Sequence, residues 1–205
     1  MKIHKEILTK EQDNLLPLLK VFSKDFGLVG GTAFAFYIGH RRSIDFDLFT
    51  NKEFNNLNIK NKILKRSKID QIPVNKKDEF TIFINGVKIT FFNYPYKINF
   101  SKNIDSFIKM PDFLTLATMK AYSLGHRAKW KDYVDLYFAM KYYRGIDKIL
   151  KRAGKIFGKE FNEKLFRSQL SYFKDIDYTE EIIYMKGFET DDKIIKKELI
   201  DFSLK

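Results

Sequence analysis

Residues 28–50, LVGGTAFAFYIGHRRSIDFDLFT, constrain this chain more than any other stretch. Leu28-Val29-Gly30 reads as a short strand. The adjacent glycines Gly30 and Gly31 let the backbone turn sharply into a helix running from Thr32 to Ile38. The period then changes from helical to strictly alternating, which predicts Ile44, Phe46 and Leu48 on one face of a strand and Asp45 and Asp47 on the other. A glycine pair alone is an ordinary tight turn, and an alternating Asp pair alone is a solvated strand face. In succession they predict chemistry. Helix-initial amides approachable past glycine, with the Thr32 hydroxyl beside them, suit a phosphate, and carboxylates at i and i+2 suit a hard divalent cation.

The flanking sequence supplies the rest of a sheet. Upstream, Thr9 and Gln12 have capping-box spacing, and Leu15, Leu16, Leu19 and Phe22 follow on one helical face. Pro17 is expected to kink this helix or delay its start, and Gly27 to end it. Downstream, a polar segment rich in Asn and Lys holds a helix near residues 59–65. Asn85-Gly86, between FTIFI and VKITFFNY, specifies a hairpin because both positions of the tightest turn need positive φ. Pro95 stops the second strand. From Pro111 onward the pattern is helical, through PDFLTLATMKAYSLG, WKDYVDLYFAMKYYRG, IDKILKRAGKIFG and NEKLFRSQLSYF to a weaker helix near residues 193–202. The expected fold class is therefore α+β: a small mixed sheet with helices over residues 1–100, followed by a helical region over residues 101–205.

Composition narrows the partners. No run of about 18 apolar residues occurs and the N-terminal MKIHKEILTK has no apolar signal core, so membrane partners and export are not expected and the cytosol is the default. The absence of cysteine excludes disulfides and thiolate metal sites. The formal net charge of +12 makes polyanions expected partners. The abundant Phe and Tyr residues are assigned first to packing and only then to base stacking.

The string GGTAFAFYIGHRRSIDFDLF resembles the nucleotidyltransferase superfamily, whose signature is a Gly-Gly or Gly-Ser turn opening a helix, followed by an Asp-x-Asp strand. It is similar to the AbiEii/AbiGii toxin family in particular, which typically shows Gly-Gly-Thr, His-Arg-x-Ser and Asp-x-Asp-Leu-Phe in that order. A second block, MKAYSLGHRAKWKDYVDLYF, is similar to the family's downstream Lys, Arg and Asp-x-x-Asp-Leu motif. The resemblance implies a nucleotidyltransferase-like fold and metal-dependent transfer of a nucleoside monophosphate from an NTP, with pyrophosphate leaving. It assigns Asp45 and Asp47 to Mg2+ or Mn2+, and Gly30, Gly31 and Thr32 to phosphates. Lys120 and Arg127, two helical turns apart, are expected to neutralise the triphosphate. Arg41 and Ser43, with Arg42, are expected at phosphate or acceptor, although Arg41 and His40 serve equally well as loop-fixing residues. Asp132 joins the catalytic set as a carboxylate expected to hold Lys120 and Arg127 in position, whereas for Asp135 a surface salt bridge to Lys129 or Lys131 is the preferred reading.

One departure stands out. Many nucleotidyltransferases carry a third carboxylate on a neighbouring strand, but here the candidate face offers Lys88, Thr90 and Phe92, with Asp78 or Glu79 as substitutes at the preceding strand's start. The leading function is toxin-like transfer of a nucleotide to RNA, with tRNA the first choice, or to a protein hydroxyl, in a chain that has a cognate antitoxin as a possible partner. The basic helical half, with Lys148, Lys151, Arg152, Lys155, Lys159, Lys164 and Arg167, would provide the acceptor surface. The alternatives are a small-molecule nucleotidyltransferase of the antibiotic-modifying type and a catalytically degenerate nucleic-acid-binding module of the same fold.

Overall fold

The computed structural model describes residues 3–205; Met1 and Lys2, the first residues of the N-terminal stretch expected to carry no export signal, lie outside the described residues. The chain forms two compact units. One comprises the residues up to Tyr37 together with Ser43–Asp112, the other Ile38–Arg42 together with Phe113–Lys205.

The first unit begins with α1 (Lys10–Lys20), whose Thr9 and Gln12 form a complete capping box. Pro17 neither ends nor delays the helix. It faces solvent along with Asp13, so water can take up the Asp13 carbonyl that loses its helical partner. The helix stops well before Gly27, which is instead the first residue of β1 (Gly27–Val29). Gly27 is needed for space, since a Cβ there would lie 1.9 Å from the Phe100 ring. Then follow α2 (Gly30–Ile38), β2 (Phe46–Thr50), α3 (Asn56–Leu64), β3 (Gln71–Lys76), β4 (Glu79–Ile84), β5 (Val87–Asn93), β6 (Lys102–Ile104) and β7 (Ile108–Met110). The sheet extends past residue 100, because β6 and β7 add an edge hairpin to it. Its order is β3-β4-β5-β2-β1-β7-β6, mixed, with β2 parallel to β5 and antiparallel to β1.

Period-two burial decides which face becomes core. Phe46 and Leu48 of β2, Ile89 and Phe91 of β5, and Phe80 and Ile82 of β4 are all buried. Phe91 packs edge-on against Phe22 at 4.9 Å and Phe26 at 5.2 Å, the aromatic end of the apolar stripe that α1 begins. Each such ring contributes about 1.5–3 kcal/mol by leaving water. Ile44 breaks the expected pattern: it precedes β2 and is 61% exposed, because pairing begins only at Phe46. The Asn85-Gly86 turn has φ of 51° and 74°, as its sequence requires.

The second unit contains α4 (Phe113–Leu124), α5 (Trp130–Tyr143), α6 (Asp147–Phe157), α7 (Glu163–Leu170) and α8 (Asp192–Leu204). Its core includes Leu116, Ala117, Val134, Leu136, Ile149, Phe157, Phe166, Ile195 and Leu199. No helix among the described residues is long and apolar enough to cross a membrane.

Candidate active site

In the first unit, β1 delivers the chain to Gly30 at φ +71°, a left-handed conformation that L side chains rarely adopt. Space imposes the same choice independently. A Cβ on Gly30 would lie 2.0 Å from Oδ2 of Asp47, so this carboxylate packs against the bare α-carbon. Val29 pairs with Asp47 across the antiparallel β1–β2 ladder, which is why they meet. Gly30 and Gly31 open α2, whose first-turn N–H groups have no intrahelical acceptor and carry the helix's positive end.

Thr32 has a different task from the one expected of its side chain. It is buried, and its hydroxyl donates to the carbonyl of Asp45 at 2.5 Å, with a longer contact to the carbonyl of Ser43 at 3.4 Å. The hydroxyl proton is therefore committed to the backbone leading into β2, and only the Thr32 backbone amide remains as a phosphate donor. Gln12 reinforces this segment, because the amide that caps α1 also donates from Nε2 to the Ser43 carbonyl at 2.8 Å. Ser43 thus acts through its carbonyl as a point of attachment just before the carboxylates.

Asp45 and Asp47 are half-buried on the sheet face opposite Phe46 and Leu48. The parallel register sets Thr90 directly beside Asp47. Thr90 in turn faces Thr81, whose hydroxyl lies 3.4 Å from that of Thr90 and 3.3 Å from the Glu79 carboxylate. Glu79 is paired with Phe92, one repeat further along the face, so it does not stand at the Thr90 position. Lys88 does reach the pair, with Nζ 2.7 Å from Oδ2 of Asp45. Among the described residues no group of three or more His, Cys, Asp or Glu gathers in metal-binding geometry. Two carboxylates completed by substrate phosphate oxygens nonetheless form a donor set that suits Mg2+ or Mn2+, and the missing Cβ of Gly30 leaves room for the Asp47 carboxylate beside the start of α2.

His40, Arg41, Lys120, Arg127, Asp132 and Asp135 form a network inside the second unit, buried except at the half-exposed Arg127. Arg41 grips Asp135 bidentately, Nε to Oδ1 at 2.7 Å and Nη2 to Oδ2 at 2.8 Å, while Nη1 donates to the Arg42 carbonyl. His40 Nε2 lies 2.8 Å from the same carboxylate. These contacts tie Arg41 to Asp135 and so hold the loop that carries it. Lys120 lies 2.5 Å from Asp132 and 2.8 Å from Asp135, and Arg127 donates to Asp132 at 2.9 Å. Lys120 and Arg127 converge by a different route from the one expected: α4 stops at Leu124, so they meet on one carboxylate and not along one helix.

The expected surface role for Asp135 is overturned. Its side chain is fully buried, and Lys129 and Lys131 pair with Glu180 instead. Burial alone would raise the Asp135 carboxyl, but Arg41 and Lys120, helped by hydrogen bonds from His40 and Arg41, hold it well below the usual range. Burial pushes His40 down, against the pull of Asp135, and so favours the neutral ring. Burial also opposes the charge on Lys120, but Asp132 and Asp135 overcome this and raise its pKa.

The basic residues of α6 and α7 divide by role. Lys148, Lys151, Lys155, Lys159 and Lys164 are exposed. Arg152 and Arg167 are half-buried ties, Arg152 donating to the Thr115 hydroxyl and Arg167 to Glu163 and the Ser203 carbonyl.

The family described as "Nucleotidyl transferase AbiEii toxin, Type IV TA system" matches residues 18–200. A protein of Aquifex aeolicus is 36% identical over 179 residues, 82% of this chain and 84% of its own length. Two solved structures share the fold. A candidate nucleotidyltransferase of Helicobacter pylori has a TM-score of 0.59 at 14% identity, covering 95% of this chain and 92% of its own. The Mycobacterium tuberculosis nucleotidyltransferase toxin MenT4 has a TM-score of 0.61 at 13% identity, covering 94% and 81%.

Proposed function

The chain belongs to the AbiEii nucleotidyltransferase toxin family, and from that premise we propose that it transfers a nucleoside monophosphate from an NTP to an RNA hydroxyl, with tRNA the first choice of acceptor. The observation that carries this reading is the contact between Gly30 and Asp47. It sets the Asp47 carboxylate against the amide-rich start of α2, which supports a cation site and a phosphate site side by side.

In this reading Asp45 and Asp47 hold Mg2+ or Mn2+, which when bound polarises the phosphate oxygens. The amides of Gly30, Gly31 and Thr32 receive phosphate oxygens. The acceptor hydroxyl attacks the α-phosphorus and gives up its proton to water, the bond to the bridging oxygen breaks, and pyrophosphate leaves. Thr32, Gln12 and Ser43 keep the approach to β2 fixed, so position and field are established before substrate arrives. Lys120, Arg127 and Asp132 are proposed as reaction residues on the motif resemblance.

The exposed lysines of α6, Lys148, Lys151 and Lys155, recur at i, i+3 and i+7 and so form a stripe suited to a phosphate backbone. Membership in a toxin family of a type IV toxin–antitoxin system implies an antitoxin counterpart, and the cytoplasm is the proposed location.

Incubation with each labelled NTP, Mg2+ and total RNA tests the assignment. Label should enter RNA with the wild type. Asp47→Asn should lower the rate by at least about 10⁴-fold, or about 5.5 kcal/mol, with the fold intact. Unchanged transfer would remove Asp47 from the metal site. RNA affinity should fall by up to about 10³-fold between 50 and 200 mM salt, and charge reversal at Lys151 and Lys155 should flatten that dependence. Undetectable RNA binding at low salt would exclude RNA as acceptor.

A further inference from the structure

Lys88 stands where its charge is hardest to explain as packing. The parallel ladder pairs Phe46 with Ile89 and Asp47 with Thr90, so Lys88, the second residue of β5, falls beside Asp45 just ahead of β2. It lies on the same face as Thr90, and its ammonium reaches the Asp45 carboxylate at 2.7 Å. A lysine directed at a carboxylate expected to hold a divalent cation competes with that cation.

We propose that Lys88 is a resident counter-cation of the Asp45–Asp47 pair, making the site take up divalent metal together with a triphosphate rather than alone. This rests on the nucleotidyltransferase reading above. The charge arithmetic favours it. Two carboxylates carry −2, and with Lys88 the cluster carries −1. A bare divalent cation must then displace an ammonium or bind beside it. A cation arriving with a triphosphate brings a new partner for that ammonium, which can transfer to phosphate oxygens while Asp45 turns to the metal.

The exposures permit this movement. The side chains of Lys88 and Asp45 are 37% and 21% exposed, and a four-carbon stem can carry the ammonium a few ångströms without disturbing β5. Lys120, by comparison, is 6% exposed between two buried carboxylates and has no such freedom. Thr90 is consistent with the same design: with a neutral residue beside Asp47, one lysine offsets half of the carboxylate charge.

The test is equilibrium dialysis of the full chain with Mn2+ alone and with Mn2+ plus inorganic tripolyphosphate, which contains no base. Wild type should bind Mn2+ more tightly when tripolyphosphate is present. Lys88→Met should bind Mn2+ alone at least about tenfold more tightly than wild type and should gain less from tripolyphosphate. Lys88→Arg, which keeps the charge, should restore the wild-type pattern. Circular dichroism verifies that each variant is folded, and Lys88→Gln replaces Lys88→Met if the latter is not. The proposal is overturned if a folded neutral variant binds Mn2+ alone no more tightly than wild type. Asp45→Asn and Asp47→Asn separate the two readings. Mn2+ binding that survives both would reject the carboxylate pair as the metal site, and with it the underlying function.

Discussion

The chain carries two carboxylate pairs, and they are built for opposite purposes. Asp45 and Asp47 sit at i and i+2 at the start of a strand, partly open to solvent, with a partly exposed lysine on Asp45. Asp132 and Asp135 sit at i and i+3 on α5, fully buried, held by Lys120, Arg41 and Arg127. The first pair is reached by solvent and by one partly exposed lysine; the second is enclosed with its partners inside its unit. Chemically similar short motifs thus acquire different roles from desolvation and the number of fixed partners, not from residue type.

The sharpest way to break this comparison is to neutralise one carboxylate of each pair and measure stability by urea unfolding. Asp135→Asn should cost about 3–5 kcal/mol, because it leaves Arg41 and Lys120 buried with too little opposing charge. Asp45→Asn should change stability by less than about 1 kcal/mol, as expected for a partly exposed ion pair. Equal costs would erase the distinction.

A smaller effect is expected from Gly30→Ala, about 2–3 kcal/mol, combining a left-handed backbone with a methyl placed 2.0 Å from the Asp47 carboxylate. Mn2+ binding should weaken with it, since Asp47 must move. An alanine variant with unchanged stability and unchanged metal affinity would show that the cradle is not needed.

The smallest effect is on pH dependence. His40 has a depressed folded pKa, so the unfolded chain binds more protons below about pH 6.5 and stability falls as pH drops through that range. Between pH 7 and pH 6 the loss should be under about 1 kcal/mol. Asp132, Asp135 and Glu180, the last lowered to about 2, have depressed carboxyl values and add further loss only below about pH 4.5. A His40→Gln chain should lose the shallow segment and keep the acidic one. If the wild-type curve is flat from pH 7 to 5, the buried neutral histidine is the wrong description.

What could be read in advance was local. The Thr9–Gln12 cap, the Asn85-Gly86 turn and the Asp45–Asp47 alternation each depend on residues adjacent in sequence, and each is present in the structure. β3 was invisible because it is an exposed edge strand containing Pro73 and a register shift, with no apolar alternation to betray it. β6 and β7 are three residues each and turn through Asp105 and Ser106 at φ of 41° and 62°, without the glycine that would mark such a turn. At the candidate site the alternation of residues was legible and the partners of their side chains were not. Nothing near Thr32 in sequence reveals that its hydroxyl is taken by Asp45, and nothing near Asp45 reveals Lys88, because the register between β2 and β5 is set by the whole sheet. Asp135 was misread for the same reason, its partner Arg41 lying 94 residues away.

That separation has a consequence for synthesis. The segment Ile38–Arg42 belongs to a unit whose remaining residues begin only at Phe113. At about 5–20 residues per second, Arg41 is made roughly 5–20 s before the carboxylate that will neutralise it, 94 residues later. During that interval a basic His-Arg-Arg segment waits without its counter-charge while the strands of the first unit are being made. The second unit therefore cannot be obtained by starting a fragment at Phe113: such a fragment would keep Asp135 and Lys120 but lack His40 and the bidentate arginine, and its core would close around a carboxylate short of two of these three partners.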